Sequence, residues 1–279
     1  MQFCTTLENT GCASGCLRSV SFNNKRWAQN TELLITHIGG DQAKHALFEE
    51  ALKTWFYQGF GQRQVNLSFR IVPANVRSHI RVTWIPGGSW SSVGTDALNV
   101  SQSLPTMNIG TFTFDNILHE LGHGIFALGH EHANPDPNNF IDWNLTNVYN
   151  DVMRTAGWTR ELIKTNIIDR YDPRLVTSTG LDRLSIMAYS IPQSWTNNNF
   201  SIELNRQLSE TDKSFVQQLY PIDSTNITTT QGSIITNVGD SGLFDSNRQA
   251  ANFGGIALGL TAFSLALAGI SRNRKNKNR

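Results

Sequence analysis

The chain has 279 residues, of which 39% are hydrophobic and 16% charged, with 22 glycines and seven tryptophans. That composition excludes a wholly disordered chain, a collagen, a coiled coil and a multi-pass membrane protein, and the length suits one globular domain with additions. The net charge of +1 hides an asymmetry: five of the 23 basic residues (Arg272, Arg274, Lys275, Lys277, Arg279) close the chain, leaving 18 against 22 acidic ones, about −4. A body of that sign lacks the basic footprint of a nucleic-acid binder, so no nucleic-acid partner is expected.

Cys4, Cys12 and Cys16 are the three cysteines. Their spacing fits no zinc ribbon or finger and allows one disulfide with a thiol left over, so residues 1–20 read as an N-terminal extension. Residues 1–30 hold no apolar run of about 7–15 residues, and no secretory signal is expected there. Residues 32–38 (ELLITHI) read as a strand. Residues 41–56 place Ala43, Leu47, Ala51, Leu52 and Trp55 at helical spacing behind a capping Asp41. Residues 65–72 and 79–85 alternate and end at Pro73 and Pro86, which predicts two further strands. A short fourth is expected at 106–109. An apolar helix opened by Asp115 is expected over 113–128. Residues 134–205 read as largely irregular around one helix at 144–155. A closing helix over 209–219 begins with a capping box of Ser209 and Asp212. This order implies a mixed sheet with helices packed on it.

Residues 223–252 are rich in Thr, Ser, Asn and Gly and read as a flexible stalk. Residues 254–270 (GGIALGLTAFSLALAGI) carry no charge. That length lies at the lower edge of what spans a hydrocarbon core about 30 Å thick. A transmembrane helix is therefore expected over 253–271, followed by a basic tail at 272–279. The cluster of Lys and Arg after the span favours a cytoplasmic tail and a folded body on the non-cytoplasmic side. A tail anchor inserted after synthesis would instead leave the body in the cytosol.

His119, Glu120 and His123 form the pentad HELGH inside the apolar helix. Two imidazoles four residues apart project from one helical face and can reach one tetrahedral metal ion. The carboxylate between them is then placed to take a proton from metal-bound water. Catalytic zinc usually takes three protein ligands, and His130 and His132 both come after Gly129, a residue that turns the chain back without steric cost. His37, His45 and His79 lie far off in sequence and read as ordinary strand or surface histidines.

The run HELGHGIFALGHEH, with SIMAY at 185–189, resembles the astacin family of metzincin zinc endopeptidases, closest to its microbial branch. GGSWSSVGTDAL at 87–98, PTMNIG at 105–110, SIMAYSIPQSW and LSETDKSFVQQLYP extend the resemblance over roughly residues 25–221. It implies an α+β, two-lobed metallopeptidase domain over 21–222, with an N-terminal mixed twisted sheet, an active-site helix and a mostly irregular C-terminal lobe. By the same resemblance His119 and His123 are the first two zinc ligands and Glu120 the general base. Met187 packs beneath the metal, and Tyr189 binds zinc or stabilises the oxyanion. Glu131 holds a position where the family can bind a newly freed N-terminus.

The spacing departs from the family pattern at one point. Six residues, not five, separate His123 from the next histidine, and Phe126 stands where glycine is expected. One extra residue is absorbed as a bulge in a turn, whereas in a helix it rotates all later residues by about 100°. His130 is assigned as third ligand, with His132 the alternative and a damaged site the remaining reading. The expected cofactor is one Zn2+, and the expected partners are a protein or peptide substrate and a membrane. The substrate is expected to pair with an edge strand near Ser89 to Leu98. The competing function is a membrane-tethered binding or adhesion module that kept the fold and lost turnover.

Overall fold

The computed structural model describes residues 19–138 and 140–222, all within one compact unit, Met1–Asn226. Strand β1, Val20–Phe22, opens the fold with all three residues buried. The folded body therefore reaches back to the buried Ser19, into the stretch read as an extension. Strand β2, Glu32–Ile38, has the predicted bounds and sets Leu33 and Ile35 fully into the core. Helix α1, Gln42–Tyr57, is capped by Asp41, whose carboxylate accepts the Lys44 N–H.

Strands β3, Ser68–Ile71, and β4, Ile80–Thr83, are shorter than their apolar runs. Asn66 shows why: its N–H donates to the Tyr220 carbonyl and its own carbonyl accepts from Asn30, so the backbone before β3 is spent outside the sheet ladder. Strands β5, Trp90–Ser91, and β6, Met107–Asn108, complete a mixed sheet in the order β3-β2-β4-β6-β5. The β3-β2-β4-β6 ladder is parallel and the edge strand β5 runs antiparallel to β6.

Helix α2, Phe114–Phe126, buries every residue from Ile117 to Phe126. It is held to α1 by the Trp55 indole N–H, which donates to the Leu118 carbonyl at 2.9 Å. Asp115 sits in the first turn and Thr113 occupies the cap position, so Asp115 serves the helix dipole and not the cap. The helix stops two residues short of its expected end because Ala127 turns left-handed (φ 51°), and the N–H groups of Ala127 and Leu128 both return to the Gly122 carbonyl.

The segment expected to be irregular around one helix holds more. Helix α3, Leu145–Ala156, is present, capped by Asn144 and ended by a left-handed Gly157. A short helix α4, Arg160–Ile163, runs into a π turn over Lys164–Ile168. Strand β7, Val176–Ser178, pairs antiparallel with β1. A single helical turn and a three-residue strand are too short to show periodicity, so their pattern is invisible until Ile163, Ile167 and Trp158 meet Val148 and Val152 in a second apolar core. Helix α5, Glu210–Leu219, closes the body with both bonds of the predicted Ser209/Asp212 capping box. Among the described residues no helix is long and apolar enough to cross a membrane. The stalk, the apolar run at 254–270, the basic tail and all three cysteines lie outside the described residues.

Candidate active site

Helix α2 carries His119 and His123 one turn apart, and the turn after it returns His130 to them. The three Nε2 atoms lie 3.1 Å (His119–His123), 3.1 Å (His123–His130) and 3.2 Å (His119–His130) from one another. Among the described residues this is the group of His, Cys, Asp or Glu side chains able to hold one metal ion. The tautomers are set by the outer partners. His119 Nδ1 donates to the Ile186 carbonyl at 2.8 Å and His123 Nδ1 to the Leu128 carbonyl at 2.7 Å. A carbonyl only accepts, so these two Nε2 atoms present lone pairs towards the cluster.

Three nitrogens facing inward at this spacing fit a tetrahedral zinc, whose Zn–N bonds of about 2.0–2.1 Å place ligand nitrogens about 3.3 Å apart. Burial, with mutual repulsion second, lowers the pKa of His123 to about 3 and that of His130 well below its ordinary value. Burial lowers His119 to about 4. All three are therefore neutral near pH 7, the form a metal requires.

The extra residue of the turn is absorbed where the helix ends. Ala127 takes the left-handed conformation, Leu128 bridges to Ser21 on β1, and the Gly129 N–H donates to the Val20 carbonyl. The His130 N–H then donates to the Tyr171 hydroxyl at 2.9 Å, and the Tyr171 ring packs edge-on against Phe22. No rotation of a continuing helix arises, because the insertion falls after the last helical residue. His132 is buried nearby but turned away: its Nε2 meets the Asn166 carbonyl at 3.0 Å.

Glu120 is fully buried, and among the described residues neither carboxylate oxygen has a hydrogen-bond partner. Burial pushes its pKa well above the ordinary carboxylate value. Met187 is fully buried under α2, where a Cβ at Gly122 would overlap its sulfur; only glycine admits the methionine this close to the helix. The Tyr189 ring lies 4.3 Å from that of His130 and 6.0 Å from that of His119, centroid to centroid. Glu131 is fully buried and accepts the Asp182 N–H through Oε2. His37 and His45 stack on each other at 4.0 Å between β2 and α1, and His79 Nδ1 accepts the Leu34 N–H, so none of the three belongs to the cluster. The main-chain carbonyls of Ile186 and Leu128, and Tyr171, were not foreseen. Backbone acceptors leave no trace in a sequence, and Tyr171 stands 41 positions from the histidine it holds.

A mixed sheet backed by a helix that carries two of three convergent imidazoles, with a buried carboxylate between them and a methionine turn beneath, defines a zinc metallopeptidase of the metzincin type. The chain belongs to the astacin family of peptidases, whose model matches residues 19–221. Members of that family are zinc metallopeptidases. The match begins earlier than the resemblance at residue 25 implied, in keeping with the buried β1. Two solved structures of myroilysin are similar at 28% identity: one covers 73% of this chain and 99% of its own (TM-score 0.67), the other 71% and 86% (TM-score 0.52). No curated protein matches the chain.

Proposed function

We propose that the protein is a zinc-dependent endopeptidase in which His119, His123 and His130 hold the metal, Glu120 is the general base and Tyr189 supports the oxyanion. The observation that carries this reading is a buried carboxylate without protein partners, one residue after the first of three imidazoles whose Nε2 atoms converge. A structural role would give Glu120 donors; its two free oxygens suit a group that takes and returns a proton. Zinc bound at the triad supplies a Lewis acid for the peptide carbonyl and lowers the pKa of a bound water towards neutrality.

Glu120, made more basic by its burial, accepts the proton of the attacking water and returns it to the leaving amine. Tyr189 donates its hydroxyl to the developing oxyanion. The peptide substrate pairs in extended form with the edge strand β5, whose outer backbone faces no further strand among the described residues. The competing reading, a tethered module without turnover, rests on the extra residue before His130. That residue sits in a turn and leaves the three imidazoles together, which favours the enzyme. Zinc analysis and casein cleavage by the full chain test the proposal. Glu120→Ala should keep the metal and lose about 10²- to 10⁴-fold in turnover. A Glu120→Ala chain as active as wild type would overturn the mechanism.

We further propose that residues 254–270 anchor the chain in a membrane, with the five basic residues on the cytoplasmic side and the catalytic body on the other. External protease on intact cells should then degrade the body and spare the apolar segment. A body protected in intact cells but cleaved in cytosolic-side-out vesicles would reverse the orientation.

A further inference from the structure

The methionine turn joins the last helix to the first zinc ligand through one continuous hydrogen-bond chain. Asp212 on α5 is fully buried, and among the described residues it takes part in no ion pair. Its Oδ1 accepts the Ser185 hydroxyl at 2.6 Å. The Ser185 oxygen in turn accepts the Met187 N–H at 3.0 Å. The carbonyl of that same peptide unit, Ile186 O, accepts the His119 Nδ1–H at 2.8 Å. Asp212 Oδ2 holds the other side of the turn through the Ile186 and Ser209 N–H groups, each at 2.9 Å.

Every link points the same way. A carboxylate draws the Ser185 proton, which makes its oxygen a better acceptor for Met187 N–H. Peptide resonance passes the polarisation to Ile186 O, and a stronger acceptor there raises the electron density at His119 Nε2. Metal-ligating histidines commonly touch a carboxylate directly at their outer nitrogen. Here a hydroxyl and one peptide unit stand between the two.

His123 provides an internal contrast. Its Nδ1 donates to Leu128 O, and the N–H of that peptide unit, on Gly129, ends at the Val20 carbonyl on β1. Among the described residues no charged side chain takes part in that link. Of these two ligands, one is backed by a buried anion and the other by neutral backbone.

We propose that Ser185 and Asp212 are positioning residues for the zinc site, orienting His119 and raising its basicity through the Ile186–Met187 peptide. The inference rests on the triad being the zinc site, and not on peptidase turnover. It is tested by the zinc affinity of the full-length protein, measured by chelator competition, with the visible spectrum of the cobalt-substituted form and thermal melting alongside. Ser185→Ala and Asp212→Asn should each weaken zinc about 10- to 100-fold and shift the cobalt bands. Ser209→Ala is the control: it removes the α5 cap hydroxyl yet leaves all three relay bonds in place, so it should lower the melting temperature and hold zinc affinity within about threefold. Asp212→Asn carries the test if Ser185→Ala does not fold.

Wild-type affinity and cobalt spectrum in both relay variants would overturn the proposal. So would a Ser209→Ala chain weakened as much as they are, since the effect would then be general loosening of α5. A wild-type chain that takes up no zinc would overturn the metal-site reading itself, a different result from an intact site indifferent to Ser185.

Discussion

His130 and His132 differ by two positions in sequence and their stacked rings commit Nε2 to different partners, which makes them a sharp pair for experiment. His130 Nε2 stands 3.1 and 3.2 Å from its two companions, while His132 Nε2 is committed to the Asn166 carbonyl. His130→Ala should lose stoichiometric zinc, whereas His132→Ala should retain it; metal content after dialysis separates them. The opposite pattern would show that the turn after α2 delivers a different imidazole. Tyr189 packs against the His130 ring without being one of the converging nitrogens. Tyr189→Phe should therefore keep the metal and reduce kcat/KM by about 10- to 100-fold, on the order of one to three kcal/mol for one lost oxyanion donor. An equal loss of zinc in Tyr189→Phe would mark the tyrosine as a ligand instead.

At the level of the elements, α2 is built around what its glycines leave out. Helix propensity alone favours Gly122→Ala by about 1 kcal/mol. Packing opposes it, because the new methyl would overlap Met187 Sδ and crowd its Cε in a region with no exposure. Overpacking of a rigid core costs about 1–3 kcal/mol, and the overlap with a fully buried sulfur puts this site at the upper end, so the variant should unfold at lower urea, by up to about 2 kcal/mol net. A Gly122→Ala midpoint above wild type would show that the methionine turn yields easily. Most of this helix is legible in the sequence: the periodic apolar positions and the HELGH spacing place it and its two histidines. Its end is not legible, because Ala127 is an ordinary helix former that turns left-handed where the chain must meet β1. Local preference yields there to a tertiary contact.

The whole molecule should soften in mild acid for a reason separate from the metal. His37 on β2 is enclosed by His45, Phe48, Glu49 and Trp84, and among the described residues its buried Nδ1 has no hydrogen-bond partner. Burial, with repulsion from His45 second, lowers its pKa from 6.5 to about 4 in the folded chain. Between those values the unfolded chain binds a proton that the folded chain refuses, so stability falls as pH drops from 6.5 towards 4. The full shift would be worth about 3 kcal/mol, and partial exposure with solvent screening reduces this to about 1–2 kcal/mol. His37→Phe should remove that part of the acid loss. Both chains lose zinc alike, so the difference in urea stability between about pH 7 and about pH 4.5 isolates His37. Parallel pH curves for the two chains would refute the assignment.

Local pattern was enough for part of this protein. The strand at 32–38, the helix capped by Asp41, the Ser209/Asp212 capping box and the pairing of His119 with His123 all come from periodicity, capping chemistry and one helical turn. Family resemblance added Met187 and Tyr189, which no local rule assigns. Which later histidine closes the triad was settled only by the folded chain, since that depends on where one extra residue is absorbed. Folding also joined β1 to β7 across more than 150 positions and left Glu120 buried without a partner. It also linked Asp212, a helix cap, to the His119 imidazole through Ser185 and the Ile186–Met187 peptide. One cause underlies all of these: a hydrogen bond or a clash between distant segments exists only once the chain has closed on itself, and a sequence records neighbours along the chain, not neighbours in space.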